Sequence, residues 1–240
     1  MPIEHRRISE RLARHPNTHR LLRRVSKIGR YVLRRPHEPE FEAFRYLPKD
    51  GLFLDIGANV GQSAMSFRIF NRRARILSLE PNPGLEGDLR LVRRIVPRFD
   101  FMMVGAGSDV GTATLYVPRV ERIAISGEAS FYPELAADPW WGDEGLAPDT
   151  LEPVEARVIA VDGLFVDPTY VKIDAEGSAV EALEGMRRTI LRCRPIFLIE
   201  GGQEEVDFLE PYGYRPFTYA GAGRMGPWNP AVATAFMLPT

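Results

Sequence analysis

Glycines and carboxylates stand at the ends of apolar runs in this sequence. A short apolar run over residues 52–56 is followed by a turn with Gly57 and Gly61, and the next apolar run ends in Glu80. Both glycines let the backbone turn sharply and approach a ligand, because neither has a β-carbon. An acid about 20 residues beyond such glycines can accept hydrogen bonds from ribose hydroxyls. The spacing predicts a nucleoside site; the alternative is an ordinary turn with a carboxylate at a strand end.

The residues around the glycines indicate which nucleoside. Dinucleotide sites use G-x-G-x-x-G, so that a pyrophosphate can approach the backbone, whereas Asn59 stands here in place of the middle glycine. Asp55, inside the preceding strand, can face an amino group. Both features favour S-adenosylmethionine, whose methionine end carries an ammonium and a carboxylate. Two alternatives remain: a nicotinamide-dependent oxidoreductase on the same sheet, and a non-catalytic nucleoside-binding module.

Carboxylates also end two later apolar runs. Asp174 and Glu176 follow the run that begins at Tyr170, and Glu200 ends the run 195–200. Open α/β sheets bind ligands at the carboxyl ends of their parallel strands, so we expect these residues at the edge of the site, with Asp174 also near the cofactor. All four histidines precede the sheet, which leaves Asp174, Glu176 and Glu200, in that order, as candidate bases. They could hold Mg²⁺ but could equally act without it, and no metal ligand is assigned.

A third apolar run, residues 100–107, is predicted to border the adenine ring. It ends in small residues, Gly107 last, which would leave room for a flat ring. Asp109 could bond the adenine amino group, although the sequence Asp-Val-Gly at 109–111 is also a plain turn signal. We therefore include both residues in the predicted cofactor site.

The elements that must position these residues alternate between strands and helices. Predicted strands cover 52–56, 74–79, 100–107, 112–118, 157–162, 170–174, 195–200, 215–219 and 232–238, and predicted helices cover 83–96, 179–193 and 203–212, with another starting at 63. This pattern predicts an α/β fold, a parallel sheet with helices on both faces and an antiparallel terminal hairpin. The irregular stretch 119–155, with Trp140 and Trp141, is where we expect acceptor recognition, although paired tryptophans also serve local packing.

The first 36 residues differ from the rest in charge. They hold 11 Arg and Lys residues against Glu4 and Glu10. An apolar stripe follows helical spacing and consists of Leu21, Leu22, Val25, Ile28, Val32 and Leu33. We predict a basic helical extension over 1–48 ahead of a catalytic domain over 49–240. We expect the stripe to pack on that domain with the arginines in water; the alternative is contact with an anionic membrane or an acidic polymer.

The composition argues against several classes of protein. The net charge of −1 implies no polyelectrolyte partner such as nucleic acid for the chain as a whole. The single cysteine, Cys193, rules out an internal disulfide, and a reducing cytoplasm is the expected compartment. No apolar stretch reaches the about 18 residues that a membrane span needs, and the N-terminus lacks the features of a secretory signal. The oligomeric state stays open.

Five motifs together resemble the FkbM family of S-adenosylmethionine-dependent methyltransferases. They are Leu-Asp-Ile-Gly-Ala-Asn-Val-Gly-Gln at 54–62, Leu-Glu-Pro-Asn-Pro at 79–83, Val-Lys-Ile-Asp-Ala-Glu-Gly at 171–177, Glu-Gly at 184–185 and Arg-Pro-Ile-Phe-Leu-Ile-Glu at 194–200. The resemblance implies a Rossmann-like class I methyltransferase sheet of seven strands, mostly parallel with the last strand antiparallel. It also implies O-methylation of a hydroxyl on a sugar, glycolipid or secondary metabolite, so the expected partner is a small-molecule or glycan acceptor.

The same resemblance assigns roles to residues of the first two motifs. It implies that Gly57, Asn59 and Gly61 line the methionine part of the cofactor and that Glu80 holds its ribose. The predicted cofactor site also includes three motif neighbours, which are Ala58, Pro81 and Asn82. The basic N-terminal helices are not part of the family pattern.

Overall fold

The computed structural model describes residues 16–120, 123–137, 147–232 and 234–240. Trp140, Trp141 and the part of the predicted helical extension ahead of Pro16 lie outside the described residues. In chain order the strands are β1 (Leu52–Ile56), β2 (Arg75–Leu79), β3 (Phe99–Met102), β4 (Gly105–Ala106), β5 (Gly111–Val120), β6 (Ile123–Ala124), β7 (Thr150–Ile159), β8 (Tyr170–Ile173), β9 (Ile196–Glu200), β10 (Tyr214–Tyr219), β11 (Met225–Pro227) and β12 (Thr234–Pro239). The α-helices are α1 (Pro16–Val32), α2 (Gln62–Phe70), α3 (Glu86–Ile95), α4 (Pro133–Ala136), α5 (Ala179–Glu184), α6 (Arg187–Cys193) and α7 (Gln203–Leu209).

The main sheet has the predicted α/β topology. Its order is β11-β10-β12-β9-β8-β1-β2-β3, with β3, β2, β1, β8 and β9 parallel to one another and β12 antiparallel to β9. The strand count differs from the expected seven, because the short β11 adds an eighth strand by pairing with β10. Since β1 lies between β2 and β8, the turns that follow these three strands meet at one edge of the sheet.

A second, four-stranded sheet lies beside the first, with the order β4-β7-β5-β6. Its centre is the antiparallel pair β5 and β7, in register from Gly111 opposite Val158 to Arg119 opposite Thr150. The predicted strand 100–107 is split between the sheets: β3 ends at Met102, and Gly105 pairs with Val158 instead. The single-strand prediction is therefore wrong, because the end of this run finds its backbone partners in β7.

The predicted helix over 179–193 is also two helices, α5 and α6. The chain breaks between them at Gly185, where a β-carbon would lie 1.9 Å from the carbonyl oxygen of Gly107. This close backbone contact accounts for the glycine and for the interruption. It also fixes the loop after β4 against the start of α6.

Aromatic side chains fill the core on one face of the main sheet. Phe53 of β1 stacks on Phe67 of α2 with ring centroids 4.1 Å apart. Phe44, which precedes the sheet, contacts both rings and also Tyr170 and Phe236. Because these five rings come from five separate segments of the chain, their contacts fix β1 and α2 relative to the rest of the sheet.

Helix α1 turns its basic face toward the domain, contrary to the prediction. Its contacts with the domain are made largely by basic side chains, while Leu21, Leu22, Val25, Val32 and Leu33 are between 45% and 71% exposed. Of the predicted stripe, Ile28 packs against the core. The expectation of an apolar interface with arginines in water is therefore wrong.

A buried carboxylate is the physical reason for this orientation. The side chain of Asp88, on α3, is only 5% exposed, and it accepts hydrogen bonds from Arg24 Nε at 2.9 Å and Lys27 Nζ at 3.3 Å. Lys27 Nζ also donates to the carbonyl oxygen of Val60 at 2.6 Å. A buried anion needs paired cations, so the basic face of α1 is drawn inward.

Within the described residues, no helix combines the length and apolarity that crossing a bilayer requires.

Candidate active site

The turn after β1 is held by contacts between backbones. Gly57 has φ +80°, and a β-carbon there would lie 1.6 Å from the carbonyl oxygen of Asp174, in the turn after β8. The amides of Gly57 and Ala58 both donate to the carbonyl oxygen of Leu79, at 3.0 and 3.1 Å. Only glycine fits at position 57, because the left-handed φ and the close carbonyl both exclude a side chain. The three strand ends are thereby locked together.

Glu80 connects the turn after β1 with the turn after β2. Its Oε2 accepts a hydrogen bond from the amide of Asn59 at 2.6 Å, and its Oε1 accepts one from the amide of Asn82 at 2.8 Å. Burial raises the pKa of this carboxyl to about 7, although the two amide bonds act to lower it. Carboxylate oxygens can each accept more than one hydrogen bond. Glu80 thus orders both turns and keeps acceptor capacity for a ligand hydroxyl.

Asp55 lies one layer deeper. It is fully buried, and its Oδ2 accepts a hydrogen bond from Ser78 Oγ at 2.7 Å. Its Oδ1 is buried and has no hydrogen-bond partner among the described residues. Burial raises the pKa of this carboxyl, and the charge of Lys172 opposes that rise. An acceptor atom without a partner behind the glycine turn is the kind of group that a ligand amine or a water would satisfy.

Lys172, on β8, was missed in the sequence analysis. Its side chain is 4% exposed, and its Nζ lies 2.5 Å from Asp174 Oδ2. Burial alone would lower the pKa of this ammonium, but the carboxylates of Asp174 and Asp55 raise it overall. A lysine inside an otherwise apolar run was the available signal, since such a charge is buried only when acids surround it. Lys172 therefore holds the Asp174 side chain in place.

Glu176 differs from Asp174 because no cation pairs with it in the part of the chain that the structure describes. It has φ +40° and lines the cleft beside Gly57. Burial, and then the charges of Asp174 and Glu128, raise the pKa of its carboxyl to about 8. A carboxyl with a pKa near the working pH can accept a proton and release it again. Glu176 therefore has the acid–base properties that a hydroxyl acceptor would need.

The structure brings only some of the predicted site residues to one cleft. Six of them line it, namely Gly57, Asn59, Glu80, Pro81, Asp174 and Glu176. The others lie around it. Asp55, Ala58 and Gly61 are buried behind the turn, Asn82 lines a neighbouring cavity, and Gly107 and Asp109 line another. Glu200 is exposed at the end of β9, where partial desolvation and then Asp174 raise the pKa of its carboxyl to about 7.

The cleft is narrow because the segment after β6 covers it. Ser126, Gly127 and Phe131 line it from the side of the second sheet. The ring of Phe131 lies over Gly105, where a β-carbon would be 2.9 Å from its Cζ. The free volume is about 50 Å³, well below the roughly 300–1,000 Å³ of small-molecule sites. A nucleoside could enter only if this segment moved outward.

Charged groups crowd the cleft, but they do not form a metal site in the part of the chain that the structure describes. No group of three His, Cys, Asp or Glu side chains there is arranged to hold a metal ion. The pKa shifts and acceptor atoms described above suit acid–base chemistry and the binding of a cationic or hydroxylated ligand.

Comparison with known proteins points to one family. The sequence model described as "Methyltransferase FkbM domain" matches residues 55–216, more than half of the chain. A curated relative, the hexuronic acid methyltransferase AglP of Haloferax volcanii, is 25% identical over 143 residues, 59% of this chain and 52% of the relative. The chain thus spans about half the length of that relative.

A solved structure agrees with the fold. Methyltransferase FkbM from Methylobacillus flagellatus KT matches with a TM-score of 0.50 and 18% identity, over 83% of this chain and 50% of that one. At this identity the match supports the architecture alone. It confirms the predicted α/β class with its mostly parallel sheet.

Proposed function

The chain belongs to the FkbM methyltransferase family, and from that premise we propose that it transfers a methyl group from S-adenosylmethionine to a hydroxyl oxygen of a sugar or another small hydroxylated acceptor. The observation that carries this proposal is the meeting of three strand ends at one cleft. Gly57, Glu80 and Glu176 come from the turns after β1, β2 and β8, and all line it. The AglP relative is named for a sugar acid, which supports a sugar as the acceptor.

The residues fit the cofactor in chemistry. Gly57 provides a backbone surface without a side chain, Glu80 provides acceptor atoms for ribose hydroxyls, and Asp55 Oδ1 is a buried acceptor with no described partner. S-adenosylmethionine, when bound, supplies a methyl group already activated on a sulfonium. The chain must then orient the acceptor and take up the proton of its hydroxyl.

We assign the proton to Glu176 ahead of Asp174. Asp174 is paired with Lys172 at 2.5 Å, so one of its oxygens is occupied and its orientation is fixed. No described cation pairs with Glu176, and burial raises its pKa to about 8, which makes it the better proton acceptor. Asp174 would act by positioning, and the exposed Glu200 is the third candidate.

Two measurements test the proposal. Calorimetry with S-adenosylhomocysteine should give a saturable heat, and tritium from labelled S-adenosylmethionine should appear in sugar acceptors. Glu176→Gln should keep cofactor affinity and lose turnover by roughly 10²–10⁴-fold, the usual contribution of a general base. Asp174→Ala should also keep cofactor affinity and lose turnover. Full activity in both variants would remove these carboxylates from the mechanism.

The alternatives have distinct outcomes. Equilibrium dialysis in which labelled NAD binds and S-adenosylmethionine does not would favour an oxidoreductase. Binding of S-adenosylmethionine without methyl transfer across a broad panel of acceptors would favour a nucleoside-binding module. We also propose a cytoplasmic location and peripheral membrane contact through the basic N-terminal extension.

A further inference from the structure

A larger cavity lies next to the cleft and shares Ser126 with it. Its volume is about 450 Å³, within the range of small-molecule sites. The cavity is bounded by α1, by the turn after β2 and by strands of the second sheet, and its polar lining includes Arg20, Arg23, Asn82, Arg119, Ser126 and Glu152. The proposed methyl transfer does not use it.

The acids of this cavity are already paired. Asp88 is bound by Arg24 and Lys27, and Arg20 Nε is 3.9 Å from its Oδ2. Glu152 is paired with Arg119 at 2.5 Å across β5 and β7. Each of these carboxylates therefore already has at least one cation within ion-pair distance.

Arg23 differs from the other described cations of this cavity because it has no ion pair with a described carboxylate. It is half-buried, and its Nη2 donates a hydrogen bond to Ser126 Oγ at 3.2 Å. Among the described residues no carboxylate lies within ion-pair distance of it. Burial, and the nearby charge of Arg20, lower the pKa of its guanidinium, whereas Asp88 acts to raise it. A half-buried guanidinium without an acid is a ready-made partner for a ligand anion.

Ser126 connects this cation to the cleft. Its hydroxyl lies between Arg23 Nη2 and Asn59 Oδ1, 3.2 Å from each. The backbone N–H of Asn59 in turn donates a hydrogen bond to Glu80 Oε2 in the proposed cofactor site. A group held by Arg23 would thus lie one side chain away from the turn where the methyl donor is expected.

We propose that this cavity binds an anionic group, a carboxylate or a phosphate, of the methyl acceptor, with Arg23 as the main contact and Arg20 as the second cation. The inference rests on the proposed methyltransferase function and specifies its substrate class as an acidic sugar or similar anion. It also gives α1 a role, since this helix precedes the matched family domain and supplies both arginines.

The test uses the full chain and three sugars: glucuronate, glucose 1-phosphate and glucose. Saturation-transfer NMR should show binding of one or both anionic sugars and at least about tenfold weaker binding of glucose. Arg23→Gln should weaken the anionic sugars at least about tenfold and leave glucose unchanged. Arg90→Gln is the matched control, because Arg90 is an exposed arginine on α3 that pairs with Glu86 outside the cavity; this variant should bind like the wild type.

Further readouts separate the possible failures. Calorimetry should give the same S-adenosylhomocysteine affinity for the wild type, Arg23→Gln and Arg90→Gln. If the wild type gives no binding heat with S-adenosylhomocysteine, the result counts against the methyltransferase proposal and not against the anion site. If Arg23→Gln unfolds, Arg23→Lys keeps the charge and should retain part of the anion binding. A preference between glucuronate and glucose 1-phosphate distinguishes carboxylate from phosphate. Equal binding of all three sugars, or of anions by wild type and Arg23→Gln, would overturn the inference.

Discussion

The two sides of the cleft are held together by different physical means. On the side of β1, β2 and β8, the contacts are between backbones: Gly57 against the carbonyl of Asp174, and amides donating to Leu79 and Glu80. On the side of α1, the contacts are ion pairs that converge on one acid, Asp88. The close carbonyl at Gly57 leaves no room for a side chain, whereas the ion pairs at Asp88 depend on the charges of their partners. The first side is therefore recognisable as a motif, and the second is not.

The family match follows this division. It begins at residue 55 and so includes the glycine turn, but it leaves out α1. Substitutions on the two sides should therefore change the unfolding free energy by different amounts.

Gly57→Ala should be the most damaging change. The new methyl group would lie 1.6 Å from the carbonyl oxygen of Asp174, in a backbone conformation with φ +80° that favours glycine. We expect a loss of at least about 3 kcal/mol of unfolding free energy, because strain and a steric clash add. For a chain of this size that corresponds to a fall in Tm of roughly 10 °C, measurable by calorimetry. S-adenosylhomocysteine binding should be lost as well.

Gly163→Ala is the matched control for this change. Gly163 is exposed, its φ is not positive, and a β-carbon there would meet no atom within 4 Å. Its substitution should change the unfolding free energy by less than about 1 kcal/mol, in either direction. Similar melting temperatures for the two variants would show that the turn after β1 is not a tight backbone contact.

Asp88→Asn should rank second. Removing this charge leaves Lys27, with a side chain only 9% exposed, without its anion, and weakens the bonds of Arg24. We expect a cost of about 2 kcal/mol and faster tryptic cleavage within α1, because α1 loses its central contact. Asp100→Asn is the control, since Asp100 is 69% exposed and its pair with Arg93 should contribute less than about 0.5 kcal/mol. Unchanged proteolysis in Asp88→Asn would contradict the proposed role of the ion pairs.

The effect of Asp88 should depend on pH in a definite direction. Burial alone would raise the pKa of this carboxyl, but Arg24 and Lys27 lower it below its ordinary value of about 3.9. A carboxyl with a lowered pKa in the folded state stabilises the protein above its unfolded pKa, and this contribution disappears as the pH falls through the folded pKa. The difference between wild type and Asp88→Asn should therefore be full at pH 6 and vanish in strong acid.

Glu176→Gln should have a smaller effect on stability, of the opposite sign. Burial, followed by the charge of Asp174, raises the pKa of Glu176 to about 8, so ionising it in the folded protein costs free energy. The wild type should lose stability relative to Glu176→Gln as the pH rises from about 5 to about 8, by on the order of 1 kcal/mol. Urea unfolding at pH 5.5 and pH 8.5 measures this difference. A pH-independent difference would show that Glu176 has an ordinary pKa.

The sequence was sufficient for the backbone side of the cleft. The apolar run, the glycine turn and the acid at 80 predicted β1, the turn and β2, because each depends on local residue type and spacing. The parallel sheet and the terminal hairpin followed in the same way. Whether Glu80 holds a ribose stays a prediction.

The remaining features depend on contacts between distant parts of the chain. Nothing near Gly105 indicates that the ring of Phe131 lies over it or that β4 pairs with β7. The inward turn of the arginines on α1 required knowing that Asp88, more than 60 positions away, would be buried. Helical periodicity finds an apolar stripe, but it does not say whether the stripe or the opposite face meets the domain.

The smallest predicted effect tests directly which face of α1 meets the domain. Val25 and Ile28 belong to the same predicted stripe, yet Val25 is 60% exposed and Ile28 packs against the core. Ile28→Ala should cost about 1 kcal/mol, less than a fully buried isoleucine. Val25→Ala should change the unfolding free energy by less than about 0.5 kcal/mol and could stabilise α1, since alanine favours helix more than valine does. Urea denaturation of both variants measures the pair, and equal costs would mean that α1 presents its apolar stripe, and not its basic face, to the domain.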